Sequence, residues 1–147
     1  MPVLEAGDWK INYIEEGKGT PIVLIHGLAG DHTAWMPQIQ ALKEKYRVIA
    51  FDNPGSGQSS RVSKPTSMAE MAHAFIKVID QLGISSAHVV GRSMGGAIAQ
   101  EMALASPKRV RSLVLAGSFA KLDALGDRLI RNMRDFIVSN ENWSTWT

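Results

Sequence analysis

Four short runs of this chain, residues 21–26, 47–52, 87–91 and Val110–Ala116, place apolar residues on consecutive positions rather than on alternate ones. A strand alternates its side chains between two faces, so a strand apolar at consecutive positions must be covered on both. Between these runs the apolar residues recur at helical spacing. Strands alternating with helices predict a mostly parallel sheet flanked by helices, an α/β fold.

Two further strands are expected ahead of these four, at Val3–Ala6 and 10–15, with a turn over 17–20. Helices are expected over 33–45, over 68–82 and over Met94–Ala105, the last ending before Pro107. The second is the clearest. Ser67 and Glu70 have capping-box spacing, Met71, Phe75, Val78 and Ile79 share a face, and Gly83 stops it. Leu122, Leu125, Leu129, Ile130, Met133, Phe136 and Ile137 then recur at spacings of three and four, which predicts an amphipathic helix. Trp143 and Trp146 lie in the last five residues, unusual for large aromatics at a finished fold's end.

Composition narrows the function classes. Of 147 residues none is cysteine, so disulfides, thiolate metal sites and a cysteine nucleophile are excluded. A formal net charge of +2 with no run of five like charges gives no case for nucleic acid. No apolar stretch has the length of a membrane span, and the first residues lack a secretory pattern. The expectation is a soluble cytoplasmic protein.

Gly91-Arg92-Ser93-Met94-Gly95 has the Gly-x-Ser-x-Gly spacing of a nucleophile elbow, with a predicted strand before it and a predicted helix after it. A serine raised on so sharp a turn needs small neighbours, because larger ones would collide with strand and helix. His26-Gly27-Leu28-Ala29-Gly30 ends an earlier buried strand. Acyl transfer requires donors for a developing oxyanion, and backbone amides supply them without reorganising. Met94 is expected to give one and Leu28 the other, with Gly27 letting the loop turn its amide inward.

These two motifs, with Phe51-Asp52-Asn53-Pro54-Gly55-Ser56-Gly57-Gln58-Ser59 between them, resemble the α/β-hydrolase superfamily in order and spacing. The branch most similar is that of esterases, lactonases and carbon–carbon hydrolases. A serine at position 93 argues against branches with an aspartate nucleophile. The resemblance implies Ser93 as nucleophile, a small ester-like substrate, and neither metal nor organic cofactor. It also implies residues 1–120 as the N-terminal part of the hydrolase core and 121–147 as the helical start of a cap. His26, Gly27, Gly91 and Gly95 are read as structural support, and Asp52 and Ser59 as turn-stabilising. Arg92 either ion-pairs within the fold, the favoured role, or reaches a substrate carboxylate. Trp35 and Met94 are expected either to line a substrate pocket or to belong to the core.

In this superfamily the triad runs nucleophile, acid, histidine along the chain. The four histidines, His26, His32, His73 and His88, all precede Ser93. Only His32 could approach the rim of the sheet. Asp123 and Asp127 are read as helix-start carboxylates rather than the triad acid. The sixth strand is also left as an apolar edge, which natural proteins normally cover. The sequence-based expectation is a fold truncated after about that strand, or one whose remainder comes from a second polypeptide, with acid and histidine missing from this chain. The expected partners are a complementary C-terminal fragment or, by self-association through the exposed edge, another copy of the chain. The 122–137 helix is expected to cover part of that edge.

Overall fold

The computed structural model describes residues 2–139, with side chains as far as Asn132. Six strands form one sheet in the order β1-β2-β4-β3-β5-β6. They are β1 (Val3–Ala6), β2 (Trp9–Glu16), β3 (Thr20–Ile25), β4 (Tyr46–Phe51), β5 (Ala87–Arg92) and β6 (Val110–Ala116). β1 and β2 run antiparallel to their neighbours. The β4-β3-β5-β6 block is parallel throughout, as expected of strands joined by helical crossovers.

The helices α1 (Met36–Leu42), α2 (Met68–Gln81), α3 (Met94–Ala105) and α4 (Ala124–Ser139) fill the intervals. α2 opens with the expected box: the Ser67 hydroxyl accepts from the Glu70 amide, and the Glu70 carboxylate accepts from the Ser67 amide at 2.8 Å. α1 is shorter than the sequence suggests. A 3-10 turn, His32–Trp35, precedes it, and Pro37 explains why. Proline is tolerated in a helix's first turn but not one turn in, so a helix begun at residue 33 could not pass through it.

Alternation along the strands divides the core in two. Val23, Ile25, Ile49, Phe51 and Val89 face α2 and α3 with Phe75, Val78, Ile79, Ile98 and Met102, all fully buried. The Phe51 and Phe75 rings stack with centroids 4.6 Å apart. Ile22, Leu24, Val48 and Ala50 point the other way, against Trp35 and Ile39. Trp35 is therefore core.

The expectation that the last helix covers the sheet edge is not met among the described residues. Leu125, Leu129 and Ile130 of α4 are exposed, and so are Val114 (51 %) and Leu115 (44 %) of β6. α4 starts where Asp123 accepts a hydrogen bond from the Gly126 amide, and Asp127 pairs with Arg131 one turn on. Both carboxylates serve the helix start. The side chains of Met133, Phe136 and Ile137, and Trp143 and Trp146 altogether, lie outside the described residues.

Candidate functional site

β5 runs straight into α3 through Ser93, whose φ of 52° and ψ of −121° put a non-glycine residue in the sparsely populated positive-φ half of the map. Such a conformation costs about 1–3 kcal/mol and persists only where the surroundings fix it. Here the Ser93 amide donates to the Ala116 carbonyl (3.0 Å), and the Ser93 carbonyl accepts from the Gly96 amide and the Ser118 hydroxyl, both at 2.9 Å.

Close packing accounts for the glycines. A Cβ at Gly95 would overlap the carbonyl oxygens of Ile25 and His26, and one at Gly91 would overlap the backbone of Gly95 and Gly96. Helix and strands meet backbone to backbone at the elbow. Met94 then opens α3, where the first amides have no intrahelical acceptor and the helix dipole favours negative charge.

The 27–31 loop lies directly against this turn. A Cβ at Gly27 would stand 3.1 Å from the Ser93 Cβ and 3.7 Å from its Oγ. Leu28 is 47 % exposed at the loop's tip. Leu28 and Met94 both line a cavity of about 330 Å³, together with Gly27, Asn53, Val62 and Met71. The structure thus brings the elbow, the loop and Met94 together. Met94 also packs against the main core.

His26 is buried and shapes the loop. Its Nδ1 lies 2.7 Å from the Gly27 carbonyl and donates to it, and its Nε2 accepts from the Asn53 amide at 3.0 Å. Asn53 returns a side-chain bond to the His26 carbonyl (3.0 Å). Burial pushes the His26 pKa below its ordinary value, opposed in part by the bond to Gly27. Neutral imidazole, donor at one nitrogen and acceptor at the other, is the form these contacts require.

One residue earlier on the neighbouring segment, the fully buried Asp52 carboxylate gathers four donors. These are the His32 amide and Nδ1 on Oδ1, both at 2.8 Å, and Asn12 Nδ2 (2.7 Å) and the Gln58 amide (2.9 Å) on Oδ2. Burial acts to raise its pKa, but the bonds from Gln58, His32 and Asn12 together outweigh it and hold the carboxyl below its usual range. Ser59 donates to the Asp52 carbonyl at 2.8 Å, a turn-stabilising contact. Gly57, at φ +51°, lets the turn pass over the carboxylate, which a Cβ there would strike.

Asp31, His32 and Asp52 offer three potential metal-ligand atoms within 4.8 Å of one another. The Asp52 oxygens are already saturated by donors, and Asp31 caps the following turn through the Thr33 amide (2.8 Å). The donor set fits a hydrogen-bond hub better than a cation.

Among the described residues none of the four imidazoles hydrogen-bonds the Ser93 hydroxyl: His26 and His32 bond as above, His73 Nδ1 lies against the Ala69 carbonyl and His88 Nδ1 against the Ser112 hydroxyl. His32, the one histidine with a claim to the rim, bonds Asp52 through Nδ1. Arg92 is exposed and joins no ion pair among the described residues, so the favoured role inside the fold is not what the structure shows. The sequence did not point to Asn12, Asn53 or Gln58 as anchors of this rim, because their partners are distant in the chain or use backbone amides.

The profile of a family described as "alpha/beta hydrolase fold" matches residues 20–144. A protein of Azorhizobium caulinodans named "Putative carbamate hydrolase RutD" is 43 % identical over 123 residues, which are 84 % of this chain and 46 % of that protein. The dihydrolipoyllysine-residue acetyltransferase component of the acetoin cleaving system of Cupriavidus necator is 40 % identical over 117 residues, 79 % of this chain and 31 % of that one. Among solved structures, the meta-cleavage product hydrolase CumD of Pseudomonas fluorescens IP01 superposes with a TM-score of 0.79 at 33 % identity, covering 84 % of this chain and 47 % of that one. The chain spans less than half the length of each of these three relatives. With the parallel sheet, the elbow and the profile in agreement, the chain belongs to the α/β-hydrolase fold family.

Proposed function

We propose that this chain carries the nucleophile and the oxyanion donors of a serine hydrolase acting on a small carboxylic ester or similarly activated carbonyl. The observation that carries this reading is the strained Ser93 turn, fixed by three hydrogen bonds and facing the Gly27 backbone. Strain of this kind persists where it has a use.

In this reading Ser93 Oγ attacks the acyl carbon. Its proton passes to a histidine outside these 147 residues, oriented by an acid also outside them. The carbonyl oxygen takes the negative charge between the Leu28 and Met94 amides. Collapse expels the alcohol and leaves an acyl group on Ser93, which water then removes. The histidine and acid, with the cover for β6, come from outside these residues, and residues 121–147 begin a cap. A fluorophosphonate probe, located by peptide mass spectrometry on protein that includes that histidine and acid, should label Ser93. Labelling elsewhere with Ser93 untouched contradicts the reading.

Relatives named as a carbamate hydrolase, a meta-cleavage product hydrolase and an acetyltransferase component keep carbamates and carbon–carbon bond cleavage within the proposed range. Turnover of esters, lactones and vinylogous diketones, measured side by side, separates ester hydrolysis from carbon–carbon cleavage.

The second reading is that the chain by itself is an inactive fragment or a binding module on the same scaffold. That none of the four imidazoles hydrogen-bonds the Ser93 hydroxyl among the described residues favours it for these residues alone. Loss of the nucleophile's histidine costs about 10⁶ in turnover. The 147-residue chain should therefore hydrolyse p-nitrophenyl acetate near background, and rapid turnover abolished by Ser93→Ala would overturn that.

A further inference from the structure

The 27–31 loop is tied at both ends to one neighbouring segment. At its start His26 bonds Asn53; at its finish His32 bonds Asp52 through both its amide and its imidazole. Two consecutive residues at the end of β4 thus hold the two ends of the loop that carries the Leu28 amide. From these paired ties we infer that Asp52 is a positioning residue, whose ionised carboxylate, acting through His32, fixes the loop and so the direction of the Leu28 N–H.

The donor count requires a carboxylate rather than any polar side chain. All four groups directed at Asp52 are N–H donors, two on each oxygen. Ionised aspartate is acceptor-only and can take all four. An asparagine there turns an NH₂ toward two of them whichever way its amide is set. A tautomer change of His32 or a turn of the Asn12 amide relieves one, but the backbone amide of His32 or of Gln58 cannot change role, so at least one bond becomes a donor–donor opposition. If the amide oxygen keeps Asn12 and Gln58, the loop end at His32 is released. If it keeps His32, the turn over 53–58 is released, and with it the segment that anchors His26. Either way a tie of the loop is weakened. His32 is a separable link, because its Nδ1 bond can be removed while Asp52 is left in place.

This inference rests on Leu28 being an oxyanion donor, but its test needs no turnover, so the two can fail independently. The measurement is ¹⁵N relaxation of the backbone amides in the 147-residue chain. In the wild type, residues 28–31 should give order parameters near about 0.85, as for rigid backbone. Asp52→Asn should lower them below about 0.6, with α2 and β5 unchanged. His32→Leu should do the same. His32→Asn, which keeps an N–H donor near the Nδ1 position, should restore most of the wild-type order, a rescue that general destabilisation would not produce. Should Asp52→Asn fail to fold, the His32 pair decides. Loop order unchanged in His32→Leu, or lost equally in α2 and β5, would overturn the inference.

Discussion

The two faces of the sheet are built to different degrees of completion. On the α2–α3 face the cover reaches from β1 across to β5, and Val23, Ile25, Ile49, Phe51 and Val89 are fully buried under two long helices. On the opposite face α1 and the 3-10 turn cover only the middle. Ile22, Leu24, Val48 and Ala50 are enclosed, Val90 is half-buried, and Val114 is half exposed beside a surface His88–Ser112 bond. The elbow belongs to the first face, since Gly91, Gly95 and Gly96 seat α3 on the strands. The 27–31 loop belongs to the second, running from β3 into the turn ahead of α1. The candidate site is the seam between them, rigid on one side and held by Asp52 and Asn53 on the other.

That contrast can be broken first where it predicts the largest loss. Phe75→Ala empties the centre of the closed face and should cost about 3–5 kcal/mol, a large fraction of a domain's about 5–15 kcal/mol. Urea unfolding measures it, and a loss below about 1 kcal/mol would show that face to be less consolidated than its burial implies. Gly95→Ala drives a methyl into the Ile25 and His26 carbonyls and should cost about 1–3 kcal/mol or more, as overpacking does. A neutral result would mean that α3 can draw back from β3.

Acid should act on the seam in two windows, both of one sign. The His26 pKa is lowered on folding, so its contribution is complete above the unfolded value of about 6.5 and is lost as pH falls through the folded one. Asp52 is also lowered; its contribution is complete above about 3.9 and is lost at still lower pH. Melting temperature against pH should therefore fall in two steps, and His26→Gln should remove the upper one. Stability that rises on acidification between about pH 6.5 and 5 would contradict the assignment. The smallest effect belongs to the open face: Val114→Ser should change stability by about 0.5 kcal/mol or less, unless a partner covers it. A larger loss in the isolated chain would mean that β6 is already buried in solution.

The parts of this fold that can be read from sequence are those written locally. β3, β5, β6, α2 and α3 follow from apolar spacing, a capping box and a glycine stop. The elbow follows from five consecutive residues. The rest depends on contacts across the chain: Asp52 meets Asn12 and His32 from 40 and 20 residues away, and no local pattern foretells that its four partners would all be donors. α1 falls short of its apolar period because Pro37 overrides that period. The openness of the α4 side reflects a helix whose apolar stripe, through Leu125 and Leu129, has nothing to pack on among the described residues.

The central geometric claim is tested most directly by a crystal structure of this chain at a resolution that orients the Leu28 and Met94 peptides. The account predicts one point within bonding reach of a carbonyl carbon on Ser93 Oγ that lies about 2.7–3.1 Å from both amide nitrogens, as an oxyanion would. Amides that diverge, or a Leu28 N–H turned away from Ser93, would contradict it.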